Sequence, residues 1–136
     1  MPAGSRHVLA HGVAAAVGAA LLGFPLAAAG GGPPPEPGWS EVFLAQTGAL
    51  ARIYVPPELD LSQPTPLVVY LHGSGAPPRL YDPYLGPPAD HAGVLVITPL
   101  ATRLEGWGSA NDPVIVAEAV RHMRQVLPVD ADRVAV

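Results

Sequence analysis

Cysteine is absent from the 136 residues, which excludes disulfide frameworks, thiolate zinc sites and cysteine nucleophiles together. Lysine is absent too: all seven basic residues are arginine, set against eleven acidic ones for a net charge of −4. Only 13% of the chain is charged, too little for an acidic disordered tail or a basic nucleic-acid-binding segment. No electrostatic pull toward phosphate backbones or anionic membrane surfaces follows from such a balance, and no nucleic-acid partner is expected. His72, His91 and His122 stand far apart without metal-ligand spacing, so no metal and no cofactor is expected either.

What the chain has in quantity is apolar residues, at 49%, with Gly 15 and Pro 18. Their placement is uneven. Arg6 and His7 precede an uncharged run from Gly12 to Ala29, rich in Ala, Val, Leu and Gly, which has the form of a secretory signal peptide. Ala27 and Ala29 make the A-x-A pair of small residues that a signal peptidase accepts, so cleavage is expected after Ala29 and the protein is expected to be secreted or periplasmic. The alternative is an uncleaved N-terminal membrane anchor, since a run of this length approaches the roughly 17–25 residues that cross a bilayer. Against that alternative, Ala and Gly partition weakly into lipid and Pro25 interrupts the helix late. Residues 30–38, Gly- and Pro-rich, read as a linker that holds neither helix nor sheet. About a hundred residues, 39–136, remain to fold.

Those residues alternate strand and crossover, which predicts an α/β sheet: an N-terminal antiparallel hairpin followed by parallel strands with helical crossovers. Glu41–Ala45 and Leu50–Val55 have hairpin spacing. Leu67–Leu71 and Val94–Thr98 are apolar on both faces, the pattern of buried parallel strands. Between them a short helix is expected near Pro87–Ala92. A longer helix is expected over Pro113–Leu127, with Asp112 as its N-cap, Pro113 at the first helical position, and Val116, Ala119, Val120, Met123 and Leu127 on one face. Asp130, Ala131 and Asp132 read as a turn, and Val134–Val136 as the start of a third buried strand.

The chemistry centres on His72-Gly73-Ser74-Gly75, which leaves a buried strand at its C-terminal edge, where open α/β sheets place ligands. A Gly-rich turn there can aim backbone N–H groups at a developing oxyanion. The same residues also read as a plain glycine turn with a locally hydrogen-bonded histidine. Tyr81, Asp82 and Tyr84 in the crossover, and Trp107 beyond the next strand, could line a pocket. His91 and His122 read as structural.

The order PLVVYLHGSG, GVLVITP and GWGSANDPVIVAEAVRHMRQVLPVDADRVAV resembles the N-terminal half of α/β-hydrolase-fold serine esterases, with secreted polyhydroxybutyrate-depolymerase-like and feruloyl-esterase-like enzymes as the nearest group. It covers about Ala49 to Val136. The resemblance implies that His72-Gly73-Ser74-Gly75 is the oxyanion-hole loop, with the Ser74 N–H as donor, and that Trp107 lies near the mouth of the active site. It also implies that D-x-x-R-V-x-V, here Asp130 to Val136, is the strand leading into the nucleophile elbow. An elbow needs Ser flanked by Gly two residues away on each side. None of Ser5, Ser40, Ser62, Ser74 or Ser109 has that setting, and the family's order of Ser, acid, His places the whole triad after Val136.

Two functions are therefore expected. In the first the chain is the N-terminal part of a secreted serine hydrolase of the esterase type, or alternatively a related peptidase, acting on an ester-bearing small molecule or on a polyester or polysaccharide ester, or else on a peptide, without catalytic triad residues of its own. In the second it is an exported non-catalytic remnant or binding module. The length agrees with the first, because single α/β units of this kind run to roughly 200–250 residues. On that reading the chain alone is expected to be inactive on p-nitrophenyl esters and only marginally folded, with one sheet edge lacking its neighbours. Membrane contact is expected only through an uncleaved leader.

Overall fold

The computed structural model describes residues 33–103 and 106–136. The expected leader, and with it the cleavage site, lies outside these residues. Of the expected linker, residues 33–37 hold neither helix nor strand, while Gly38 already opens the first strand. The elements that follow are β1 (Gly38–Phe43), β2 (Leu50–Val55), β3 (Thr65–Val69), a 3₁₀ turn (Pro78–Tyr81), α1 (Asp82–Ala92), β4 (Leu95–Pro99), α2 (Asp112–Val126) and β5 (Val129–Ala135). Among the described residues no helix is long and apolar enough to cross a membrane.

The strands form one mixed sheet in the order β1-β2-β4-β3-β5. β1 and β2 pair antiparallel, Gly38 opposite Val55 and Phe43 opposite Leu50, closed by the Leu44–Ala49 turn. β2 runs antiparallel to β4, whereas β3 is parallel to β4 and to β5 on its other side. Alternate residues of each strand face opposite sides of the sheet, and each side has its own helix. Ile53, Val55, Leu67, Val69, Leu95 and Ile97 pack with Ile115, Ala119 and Met123 of α2. Tyr54 and Val96 pack with Ala89 of α1, joined by Trp39 and Tyr70.

Both faces of β4 are thus covered, which is why its sequence is apolar without alternation. The two helices lie on opposite faces because the chain leaves β3 toward β4 on one side and then crosses back to β5 on the other. Right-handed crossovers in opposite directions place their helices on opposite faces. β3 is therefore where the strand order reverses, the location at which open α/β sheets form a ligand crevice beyond the carboxyl ends of their strands.

Three expectations change. Helix α1 starts at Asp82, not near Pro87, and carries Pro87 and Pro88 inside it. Two interior prolines forgo two helical hydrogen bonds; side-chain ties from β2 offset the loss, with Arg52 bonded to Asp82 at 3.2 Å and the Tyr54 hydroxyl donating to Asp90 at 2.8 Å. Asp112 does not cap α2: it is the first helical residue after Asn111, which makes Pro113 the second, and its carboxylate serves the preceding loop instead.

The third change is β5, which spans seven residues and is half-exposed rather than buried, with Asp130–Asp132 inside it. Its pairing shifts register between Thr65 and Leu67 of β3. The Asp130 carboxylate accepts from the Asp132 N–H at 3.0 Å and from Arg133 Nε at 2.6 Å. The expected turn and the strand are one irregular segment.

Candidate functional site

The loop after β3 is fixed by its neighbours at several points. Past Val69 the Tyr70 N–H still donates to Ile97 O at 2.9 Å, so the chain is held to β4 until His72. His72 is 3% exposed. The Ala101 N–H, which can only donate, reaches His72 Nε2 at 3.1 Å, so Nε2 is the acceptor nitrogen and Nδ1 carries the proton. That Nδ1–H donates to Gly73 O at 2.9 Å. One neutral tautomer thus satisfies both ring nitrogens and ties the loop after β3 to the loop after β4. Trp107 Nε1 donates to His72 O at 3.0 Å, its ring centroid 5.5 Å from the imidazole. Tyr81 accepts the Gly73 N–H on its hydroxyl at 3.0 Å.

These bonds engage the ring and carbonyl of His72 and both backbone groups of Gly73, and stop at Ser74. Among the described residues the Ser74 N–H has no hydrogen-bond partner, and Ser74 and Gly75 are exposed. Two glycines shape the loop by close approach. A Cβ on Gly73 would stand 2.9 Å from the Tyr81 hydroxyl, and one on Gly106 would meet the Ser74 backbone at 3.5 Å. Gly106 has φ +110°, a conformation that favours glycine. The order of the sequence gives no sign that Gly106 lies against Ser74, thirty-two positions earlier; only the folded loop after β4 brings them together.

That second loop has its own clamp. The Asp112 carboxylate, almost wholly buried, accepts the Gly108 and Ser109 N–H groups, each at 2.6 Å, and the hydroxyls of Ser109 at 2.9 Å and Thr102 at 3.0 Å. The Gly108 N–H leads these donors in holding the carboxyl well below the usual carboxylate range, against the opposing effect of burial. Asp112 so fixes Gly106, Trp107 and Gly108 over the His72 loop.

The structure brings together His72, Gly73, Ser74, Gly75, Trp107 and Tyr81, with different roles among them. Tyr81 supports Gly73 through its hydroxyl. Tyr84 is exposed on α1, and Asp82 is engaged by Arg52. Trp107 borders an open depression of about 460 Å³ with Leu71 and with Pro113, Val116 and Ala117 of α2. On the other side of the loop lies a cleft of about 260 Å³ whose wall includes His72 and Gly75.

Among the described residues no serine hydroxyl is bonded to a histidine. His91 is exposed on α1. On α2, burial lowers the pKa of His122, against the opposing pull of Glu118. Glu118 itself is taken up by the β1–β2 turn, accepting the Gln46 and Thr47 N–H groups, the latter at 2.8 Å.

No family model matches the sequence, and no curated protein matches it. Among solved structures the chain is similar to an acetyl xylan esterase from Aspergillus awamori. The TM-score is 0.51 at 23% identity, over 71% of this chain and 40% of that one. The two share a fold. The chain spans about two fifths of the esterase's length, so the fold is common to part of that enzyme only.

Proposed function

We propose that this chain is the N-terminal part of an exported serine hydrolase of the α/β-hydrolase type acting on carboxylic esters, and that the Ser74 N–H is one donor of its oxyanion hole. The observation that carries the reading is the pattern of bonds around His72 and Gly73. The His72 ring and carbonyl and both backbone groups of Gly73 are tied down, while the Ser74 N–H next to them has no partner among the described residues, on an exposed loop at the reversal point of the sheet. A donor that is already oriented costs no reorganisation when negative charge develops on a carbonyl oxygen, which is the condition for electrostatic catalysis. The likeness to an esterase fold supports the same class of reaction.

In this reading a serine on the elbow after β5 attacks the ester carbonyl, a histidine takes its proton and returns it to the leaving alcohol, and the oxyanion sits between the Ser74 N–H and the N–H after the nucleophile. His72 acts through the loop as a positioning residue: its buried, fully bonded ring leaves no nitrogen for proton transfer. The leader at 1–29 would carry the protein out of the cytoplasm. Ester-bearing small molecules, or polyester and polysaccharide esters, are the substrates that fit.

The test is to read the gene through the codons after Val136, express that protein, and assay p-nitrophenyl acetate. The expected outcome is a G-x-S-x-G within a few residues of β5 and turnover by the extended protein, with none from the 136-residue chain. Turnover by the 136-residue chain, or an extended protein without the motif, would overturn the reading.

A further inference from the structure

We infer that the cleft on the Gly75 side of the loop is a binding pocket for a short apolar chain ending in a carboxylate. The floor and walls are apolar, formed by Leu50 and Ala51 at the start of β2, Leu100 after β4, and Pro77 beyond the loop. Its charged residues are unevenly committed. Arg52, largely buried, is bonded to Glu41 at 2.9 Å and to Asp82 at 3.2 Å, so that guanidinium is more than balanced by its two carboxylates and is not free for a ligand. Arg79 and Arg103 also line the cleft, and among the described residues neither has a carboxylate within ion-pair distance.

Glu41, the acidic residue of the lining, is paired with Arg52, which leaves two guanidinium groups without a carboxylate among the described residues, in a chain of net charge −4. The planar, multi-donor guanidinium suits bidentate recognition of a carboxylate. At about 260 Å³ the cleft lies below the roughly 300–1,000 Å³ of pockets that take whole drug-sized ligands, so it accepts one short arm. An apolar floor with cations at the rim selects an amphiphilic anion over a neutral chain or a bare inorganic anion.

The binding stands on this cleft alone; that the occupant is the acid-terminated arm of an ester substrate rests on the oxyanion reading. Titration of the 136-residue chain with hexanoate, followed by the backbone amide signals of Ala51, Gly75 and Leu100, separates the two. Saturable shifts are expected, with hexan-1-ol and inorganic phosphate each binding about tenfold more weakly. Arg79→Gln with Arg103→Gln should weaken hexanoate by about tenfold or more, while Arg124→Gln on the exposed side of α2 leaves it unchanged. The inference is overturned if hexanoate gives no saturable shift, if hexan-1-ol or phosphate binds as well, or if the double variant with native-like signal dispersion binds like the parent.

Discussion

At the scale of residues, the sequence marks the loop after β3 but not what holds it. His72 through Gly75 stood out because glycines after a buried strand are an evident signal. The partners that position them come from elsewhere in the chain, as Ala101, Trp107 and Gly106 do, and their roles depend on tertiary approach. Asp112 was misjudged for a related reason: an Asp before a Pro at a helix start suits a cap, yet the donors nearest its carboxylate belong to the loop behind it. Gly106→Ala should destabilise the chain by about 1–3 kcal/mol, since it forces an alanine into φ +110°. An unchanged urea midpoint would contradict that backbone conformation. Trp107→Phe removes the bond to His72 O together with part of the ring beside the imidazole and should cost at least about 0.5–1.5 kcal/mol, with the largest amide shifts at Gly73 and Ser74.

At the scale of elements, strand existence was legible and helix extent was not. β2, β3 and β4 stand within two residues of the expected runs because continuous apolar character has little other use in a chain this size. α1 was cut short by its prolines: propensity forbids Pro87 and Pro88 in a helix interior, and only the ties from Arg52 and Tyr54 to Asp82 and Asp90 show why the helix persists. Pro87→Ala restores a helical N–H, and should raise stability by about 1 kcal/mol after the gain in unfolded-chain freedom is subtracted; a lower melting temperature would show that α1 depends on the proline. Leu67, fully buried between the β4 and β5 neighbours of its strand, should lose about 2–5 kcal/mol on truncation to Ala. Phe43→Ala, at 72% exposure, should change stability little.

At the scale of the whole molecule, the strand order and the two-faced core place one loop at the reversal point of the sheet, and the carboxylates that secure the loops make the fold acid-sensitive. Asp112, Glu118 and Asp130 all have folded pKa values below their unfolded ones: Asp112 chiefly through Gly108, Glu118 through Thr47 and Gln46 against the larger opposing effect of burial, and Asp130 through Arg133. Their stabilisation is complete above the unfolded carboxylate range near about 4 and is lost as pH falls through the depressed folded values. His122, lowered by burial, works in the same sense from about 6.5 downward. The urea midpoint should therefore fall between neutral pH and pH about 3, and fall less in Asp112→Asn; a midpoint that holds or rises would refute these assignments. The chain order made the sheet class readable, whereas the role proposed for the loop rests on an N–H that no residue pattern can mark as unpaired. That role is tested most directly by steady-state kinetics on p-nitrophenyl acetate in the protein extended past Val136, comparing Ser74→Pro, which deletes the N–H, with Ser74→Ala, which keeps it. The account predicts that Ser74→Pro loses about 10²–10³ in kcat with little change in KM while Ser74→Ala stays near the parent; a Ser74→Pro protein with undiminished kcat would contradict it.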